Sequence, residues 1–288
     1  MSGSDELAGV DAVPGAAKPD PILVADGITR RFGGLLAVDV EHLEVQRGVI
    51  TALIGPNGAG KTTFFNLLTG FDRPDGGRWS FDGRDISRTP PHRLAKQGMV
   101  RTFQLTKALA KLSVLDNLRL AAPTQPGERL WSAVLPFVWR AREAEITEQA
   151  EVLLERFKLT QVRDEYAGNL SGGQRKLLDV ARALMVEPRL VMLDEPMAGV
   201  NPALTQSLLG HVTALRDEGT SVVFVEHDMD VVMSISDWVV CLSEGRVIAE
   251  GPPRAVASNG AVIDAYLGGH HGDEAVPVPD VNAREGAG

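Results

Sequence analysis

The stretch Gly55-Pro56-Asn57-Gly58-Ala59-Gly60-Lys61-Thr62-Thr63 fits the phosphate-binding pattern G-x-x-x-x-G-K-[ST]. An apolar run at residues 50–54 predicts a buried strand before it, and residues 61–70 predict a helix that ends at a glycine. The glycines let the loop backbone turn its N–H groups toward phosphate oxygens, and the helix N-terminus adds a positive end. We therefore expect Lys61 to reach the β- and γ-phosphates of a nucleotide and the Thr62 hydroxyl to ligate Mg²⁺.

The composition is that of one large domain, or one domain with a subdomain, because 44% of the 288 residues are apolar. No apolar run approaches the roughly 18 residues that cross a bilayer. The first residues are rich in glycine, alanine and proline and lack the apolar core of a signal peptide. These features predict a soluble, cytoplasmic protein.

Charge and cysteine content narrow the possible partners. The net charge of −9 argues against a surface for nucleic acid or anionic lipid, so a role at a membrane would require docking on another protein. Cys241 is the only cysteine, which excludes an internal disulfide and a site built from several thiolates. It lies in an apolar run, and we expect a buried strand thiol there rather than a reactive one.

Composition also predicts how the chain is divided. Residues 1–20 and 269–288 are expected to be disordered tails that flank a folded domain at residues 21–268. Short β-type runs between residues 22 and 49 predict hairpin-like strands that lead into the phosphate loop. The chain then becomes helical, and a helical subdomain at about residues 112–168 is expected as an insertion in an α/β core. Its Trp131, Phe137 and Trp139 could form a docking surface or simply pack the subdomain.

Three further stretches carry polar residues at the ends of predicted elements. Ser171 and Gln174 in the LSGGQ stretch have the spacing of a capping box, so on their own they predict only a helix cap. The apolar run at residues 190–193 ends in Asp194 and Glu195, as expected for a central parallel strand whose carboxyl end faces a ligand. A second apolar run ends at His227, which taken alone would more often be structural.

The order of these features resembles that of the ATP-binding cassette (ABC) ATPases: phosphate loop, Gln104, LSGGQ, the Asp194-Glu195 strand end and His227. The resemblance covers about residues 22–267. It implies an α/β fold with a P-loop NTPase core, a mostly parallel central sheet, an N-terminal antiparallel β subdomain and an inserted helical subdomain. It also overturns the purely structural interpretations of Ser171 and His227.

The resemblance implies a role for each candidate residue. Phe32 would stack on adenine, while residues 55–63 would bind the phosphates. Thr62, Gln104 and Asp194 would hold the Mg²⁺ shell. Glu195 would polarise the attacking water and His227 would contact the γ-phosphate, while Gln104, also a catalytic candidate, would reach the metal or the water and signal toward the membrane partner. The second half-site, which would bind the γ-phosphate of ATP held by another cassette, comprises Ser171, Gly172, Gly173 and Gln174.

Within the family, the chain is most similar to the ATP-binding subunits of branched-chain amino acid importers. The similarity lies in RFGGLLAV at residues 31–38, VRTFQ at 100–104, EPMAGVNP at 195–202 and AYLG at 265–268. Two departures stand against it. Asn201 replaces an aspartate of many cassettes, although this subgroup commonly has asparagine, and the full LSGGQ leaves urea, other amide or lipopolysaccharide transport open.

This likeness predicts the ATP-hydrolysing subunit of an importer, energised when two cassettes close head to tail around two ATP molecules. Its expected partners are a second, different ATPase subunit, two transmembrane permease subunits and, indirectly, an extracytoplasmic binding protein. The expected location is the cytoplasmic face of the cell membrane, with membrane contact through the permease only. Cassette proteins of translation or DNA repair usually carry two cassettes or a coiled-coil insertion, which this sequence lacks. An ordinary P-loop kinase or GTPase leaves LSGGQ and His227 unexplained.

Overall fold

The computed structural model describes residues 3–102, 107–123 and 136–268. The strands are β1 (Pro21–Phe32), β2 (Leu35–Gln46), β3 (Ile50–Ile54), β4 (Gly76–Phe81), β5 (Arg84–Asp85), β6 (Met99–Arg101), β7 (Leu190–Asp194), β8 (Ser221–Val225), β9 (Trp238–Ser243) and β10 (Arg246–Gly251). The helices are α1 (Gly3–Glu6), α2 (Lys61–Leu68), α3 (Pro91–Lys96), α4 (Val114–Ala121), α5 (Pro136–Arg156), α6 (Gly172–Leu184), α7 (Pro202–Asp217), α8 (Met229–Ile235), α9 (Pro253–Ala257) and α10 (Gly260–Gly268).

The strands form two sheets. The central sheet has the order β10-β9-β3-β8-β7-β6, and its pairs are parallel except for the β9–β10 hairpin. A second, antiparallel sheet has the order β2-β1-β4-β5. The predicted α/β class, the mostly parallel central sheet and the N-terminal antiparallel subdomain are therefore confirmed.

The central strands are buried because both of their faces are covered. Along β3, alternate residues enter opposite apolar clusters: Ile50, Ala52 and Ile54 face one, and Leu53 faces the other. The first cluster is completed by helices α4 to α8, and the second by α2 and the antiparallel sheet. This coverage on both faces explains why β3 and β8 consist of near-continuous apolar residues.

The helices of the predicted insertion lie between β6 and β7 in the chain. Helix α5 buries the apolar face expected from its sequence, which comprises Ile146, Ala150, Leu153 and Leu154. Phe157, the residue after the helix, is also buried. The expected docking residue Trp131 lies outside the described residues, and nothing is described of the Phe137 and Trp139 side chains. Among the described residues, no helix combines the length and apolar character that a membrane span requires.

The prediction that residues 1–20 form a disordered tail is wrong for the described part, residues 3–20. Lys18 is buried, with its Nζ 3.2 Å from Glu250 Oε1 in β10 and 4.6 Å from the centre of the Trp238 ring. The Ala16 N–H donates to the same carboxylate at 2.6 Å, and the Leu7 side chain is also buried. Composition could not reveal this order, because the anchoring carboxylate lies more than 200 residues away in the chain. The predicted C-terminal tail, residues 269–288, lies outside the described residues.

Candidate functional site

The phosphate loop lies between the end of β3 and the start of α2, as its sequence predicts. Two of its glycines are required by close backbone contacts. A Cβ on Gly55 would lie 2.1 Å from the Leu242 carbonyl oxygen, and one on Gly60 would lie 2.4 Å from that of Ala37. Gly60 also has a φ of 94°, in the left-handed region that favours glycine. The loop can therefore pack this tightly against its neighbours only with glycine at both positions.

The loop lines one side of an open groove of about 960 Å³. Phe32 and Leu35, from the β1–β2 turn, lie at its edge with their side chains exposed. The remaining lining residues are Leu36, Ala37, the loop and helix residues Asn57 to Thr63, Glu195, Glu244, Gly245 and Arg246. The groove thus brings together an aromatic face, a loop rich in backbone N–H groups, a lysine and a carboxylate.

Lys61 provides the positive charge of the loop. Its Nζ donates hydrogen bonds to the carbonyl oxygens of Gly55 at 2.6 Å and Pro56 at 3.0 Å. Burial lowers its pKa, and the negative charge of Glu195 opposes that shift. Lys61 and Glu195 both line the groove, so it holds one cationic and one anionic side chain.

The two acids that follow β7 have different environments. Asp194 Oδ2 accepts a hydrogen bond from Arg101 Nη2 at 2.6 Å, and Arg101 Nη1 also bonds Asn66 in α2. Glu195 is exposed and has a φ of 44°, an unusual conformation for a residue other than glycine. Its carbonyl oxygen accepts a hydrogen bond from Lys176 Nζ at 2.7 Å. Such backbone strain concentrates at functional sites, and Glu195 is one of the residues that line the groove.

His227 lies at the end of the neighbouring strand β8, as predicted, and its side chain is largely exposed. It is absent from the described lining of the groove. The preceding residue, Glu226, is buried, and its carboxylate accepts a hydrogen bond from the Met197 N–H at 2.9 Å. Burial raises the pKa of Glu226. Glu226 therefore ties the strand end that carries His227 to the segment that follows Glu195.

The LSGGQ stretch forms the predicted cap of α6. Ser171 Oγ accepts from the Gln174 N–H at 3.2 Å, and Gln174 Oε1 accepts from the Ser171 N–H at 3.0 Å. The amides of Gly172 and Gly173 lie in the first turn of α6, where backbone N–H groups have no carbonyl acceptor within the helix. Ser171 and Gly172 are exposed, and the described lining of the phosphate-loop groove includes none of this stretch. Lys176, two residues after this stretch, bonds the carbonyl of the groove-lining residue Glu195, so the start of α6 lies near the groove without lining it.

The described residues contain no group of three or more His, Cys, Asp or Glu side chains that could hold a metal ion. Mg²⁺ is commonly held by one or two protein oxygens together with substrate phosphates and water. Thr62 in the groove supplies a hydroxyl oxygen, and Asp194 at the end of β7 supplies a carboxylate whose Oδ2 pairs with Arg101. These oxygen donors fit in kind a cation that arrives with a nucleotide. Gln104, the third predicted ligand, lies outside the described residues.

The sequence analysis assigned no role to three residues that have contacts at the site: Arg101, Glu226 and Tyr266, whose hydroxyl bonds the Gly55 N–H. Glu226 could have been recognised from the sequence, because it is a carboxylate directly after the buried strand β8. Arg101 had a weaker sequence indication, its position within VRTFQ.

Asn201, the departure noted above, caps α7 by accepting a hydrogen bond from the Leu204 N–H. Asparagine and aspartate serve equally well as such caps, so this substitution preserves the local structure.

Comparisons with known proteins identify the family of the chain. Residues 38–198 match the family model described as ABC transporter, and residues 246–272 match the model described as branched-chain amino acid ATP-binding cassette transporter. A probable branched-chain amino acid transport ATP-binding protein, LivG, of Archaeoglobus fulgidus is 44% identical, over 86% of this chain and 95% of its own length. The high-affinity branched-chain amino acid transport ATP-binding protein BraF of Pseudomonas aeruginosa is 42% identical, over 86% of this chain and 98% of its own.

Solved structures show the same fold. A nucleotide-free ATP-binding cassette from an ABC transporter superposes with a TM-score of 0.75 at 38% identity, covering 85% of this chain and 98% of its own. An ATP-binding cassette of an ABC transporter in its ADP conformation gives a TM-score of 0.73 at 36% identity, covering 86% and 99%.

Proposed function

The chain belongs to the ABC transporter family of ATP-binding proteins, and from this premise we propose that it is the ATP-hydrolysing subunit of a branched-chain amino acid importer. The observation that carries the ATPase part is the groove that the phosphate loop, Lys61 and Glu195 line together. The observation that supports the substrate class is similarity over nearly the full length of relatives named for branched-chain amino acid transport.

The groove suits hydrolysis of the terminal phosphate of ATP by water. The loop amides and Lys61 bind the β- and γ-phosphates, Phe32 offers its ring to adenine, and Glu195 orients the attacking water. Mg²⁺ bound with the nucleotide, near Thr62 and Asp194, would neutralise phosphate charge. The water oxygen bonds to the γ-phosphorus as the bond to the β–γ bridging oxygen breaks, so the products are ADP and phosphate.

The LSGGQ stretch does not line this groove, and this supports a two-cassette mechanism. The first turn of α6 begins with the exposed residues Ser171 and Gly172 and presents amides that fit an anion. We propose that these amides and Ser171 complete the site of a second, different cassette. ATP then closes the pair, and the closure moves two permease subunits between access states at the cytoplasmic face of the membrane.

The direct test uses the complete transporter with its partner cassette. Lys61→Ala is expected to weaken MgATP binding severely, whereas Glu195→Gln keeps binding and lowers turnover by orders of magnitude. Ser171→Arg is expected to prevent closure of the pair, which size-exclusion chromatography with ATP would measure. A Glu195→Gln pair that hydrolyses ATP at the wild-type rate would contradict the proposed mechanism.

The substrate class needs a separate experiment, because the cassette itself does not contact the transported molecule. We expect the ATPase rate of the reconstituted transporter to rise with binding protein loaded with leucine, isoleucine or valine. Stimulation by urea or another amide alone would reassign the transporter.

A further inference from the structure

The C-terminal helix contacts the phosphate loop directly. Tyr266, in α10, has its hydroxyl oxygen 2.9 Å from the backbone nitrogen of Gly55, and the Gly55 N–H donates to it. The two residues are separated by 211 positions in the chain. Tyr266 is not part of the described groove lining, so this contact reaches the loop from outside the groove.

The Gly55 N–H is at the point where a strand becomes the phosphate loop. Strand β3 pairs in parallel with β9 as far as Ile54, which lies opposite Cys241. At Gly55 the chain turns, and its Cα lies so close to the Leu242 carbonyl that only glycine fits. A backbone N–H in such a packed position needs an acceptor, and the Tyr266 hydroxyl provides it.

The surroundings of Tyr266 fix that hydroxyl in place. Its side chain packs against the apolar cluster that includes Ile54 and Cys241. Burial raises the pKa of Tyr266, so the phenol stays protonated and neutral at physiological pH. The ring therefore positions the oxygen, and the oxygen positions the first residue of the loop.

We propose that Tyr266 is a positioning residue for the nucleotide site, through which the docking of α10 and the binding of ATP are coupled. The inference rests on the proposed function, namely that this groove binds MgATP. The loop amides that face phosphate follow Gly55 directly, so the direction in which the chain leaves β3 sets where they lie. Coupling between two sites is reciprocal, so nucleotide binding must in turn stabilise the docked α10.

The test compares wild type, Tyr266→Phe and the control Tyr166→Phe, which alters the other tyrosine of the chain, an exposed one. Tyr266→Phe keeps the ring and removes only the acceptor. We expect amide hydrogen exchange at Gly55 to accelerate about tenfold and the Kd for MgATP to rise roughly three- to tenfold, the effect of one neutral hydrogen bond. In the assembled transporter, the KM for ATP should rise by a similar factor while kcat changes little. Tyr166→Phe should match wild type in each measurement.

A second measurement needs no substitution. In wild type, saturating MgATP should slow amide exchange in residues 260–268, and Tyr266→Phe should largely lose that response. Unchanged affinity in a Tyr266→Phe protein whose Gly55 amide does exchange faster would reduce Tyr266 to a structural contact and overturn the proposal. If amide exchange at residues 260–268 of wild type were the same with and without MgATP, the proposal would also be overturned. By contrast, a wild-type chain that binds no MgATP would overturn the proposed function itself.

Discussion

The Glu226 carboxylate accepts a hydrogen bond from the Met197 N–H, with Oε1 2.9 Å from the amide nitrogen. Met197 follows Glu195 by two residues, and Glu226 directly precedes His227. One buried side chain thus links the segments that carry two of the predicted catalytic residues. Its contribution to hydrolysis should therefore be visible in turnover rather than in ATP binding.

We expect Glu226→Leu to lower the ATPase kcat of the assembled transporter about tenfold or more while the calorimetric Kd for ATP changes little. The reason is that the Met197 N–H loses its acceptor and the backbone beside Glu195 relaxes. Glu226→Gln keeps an acceptor oxygen and should retain most of the activity. Equal losses in both variants would show that the negative charge, and not the hydrogen bond, matters.

Phe32 should contribute affinity for the nucleotide base without selecting it. Its exposed ring offers a face on which any purine can stack. Phe32→Ala is expected to weaken binding of ATP and GTP alike by about 1 kcal/mol or more, roughly fivefold, measured by calorimetry. Phe32→Trp should bind as wild type does. Leu35→Ala, at the same edge of the groove, is the control, and an equal loss there would argue against stacking.

Asp179 in α6 should make stability depend on pH. Burial raises its pKa from 3.8 to about 7, against the opposing charges of Arg182, Lys176 and Arg175. The pKa of Asp179 is higher in the folded protein than in the unfolded chain, so its protonated form favours folding. This contribution to the free energy of unfolding is fully present below about pH 4 and is lost as the pH rises toward 7. The free energy of unfolding of wild type should therefore fall between pH 5 and pH 8. In Asp179→Asn, which cannot titrate, we expect this fall to be about 1–2 kcal/mol smaller than in wild type.

Urea unfolding at the two pH values measures this difference. Asp164→Asn, at a carboxylate that is 80% exposed, serves as the control and should follow wild type. If Asp179→Asn has the same pH slope as wild type, the buried carboxylate does not titrate in this range.

The Lys18–Glu250 pair should stabilise the fold although it lies far from the groove. Both side chains are almost fully buried, so Lys18→Met leaves the Glu250 carboxylate without its cation. Removing one partner of a buried pair typically costs about 3–5 kcal/mol, and we expect a loss of this size in urea unfolding. The double variant Lys18→Met with Glu250→Gln should recover most of it. A single variant as stable as wild type would mean that the Lys18–Glu250 ion pair adds nothing to stability.

The sequence predicted the elements whose structure depends on neighbouring residues. The phosphate loop, the buried strand β7 and the capping box at Ser171 and Gln174 each depend on residues within a few positions of one another. The groove edge at Phe32 required the family resemblance as well, because a single exposed aromatic has no local signature.

The contacts that the sequence did not reveal join distant segments. Arg101 meets Asp194 across 93 positions and Tyr266 meets Gly55 across 211. The same holds for Lys18, whose segment has the composition of a disordered tail and is ordered only by a carboxylate in β10. No periodicity or spacing rule connects such pairs, since they depend on how distant segments pack in the folded chain.

The pairing of Lys18 with Glu250 also has a consequence for the timing of synthesis. A ribosome adds about 5–20 residues per second, so the 232 positions between them take roughly 10–50 s to translate. Throughout that interval Glu250 has not been synthesised, and Trp238 is added only 12 residues before it. The beginning of the chain therefore reaches its native place among the last segments to fold, and nascent chains that stop before β10 should leave it open to proteases.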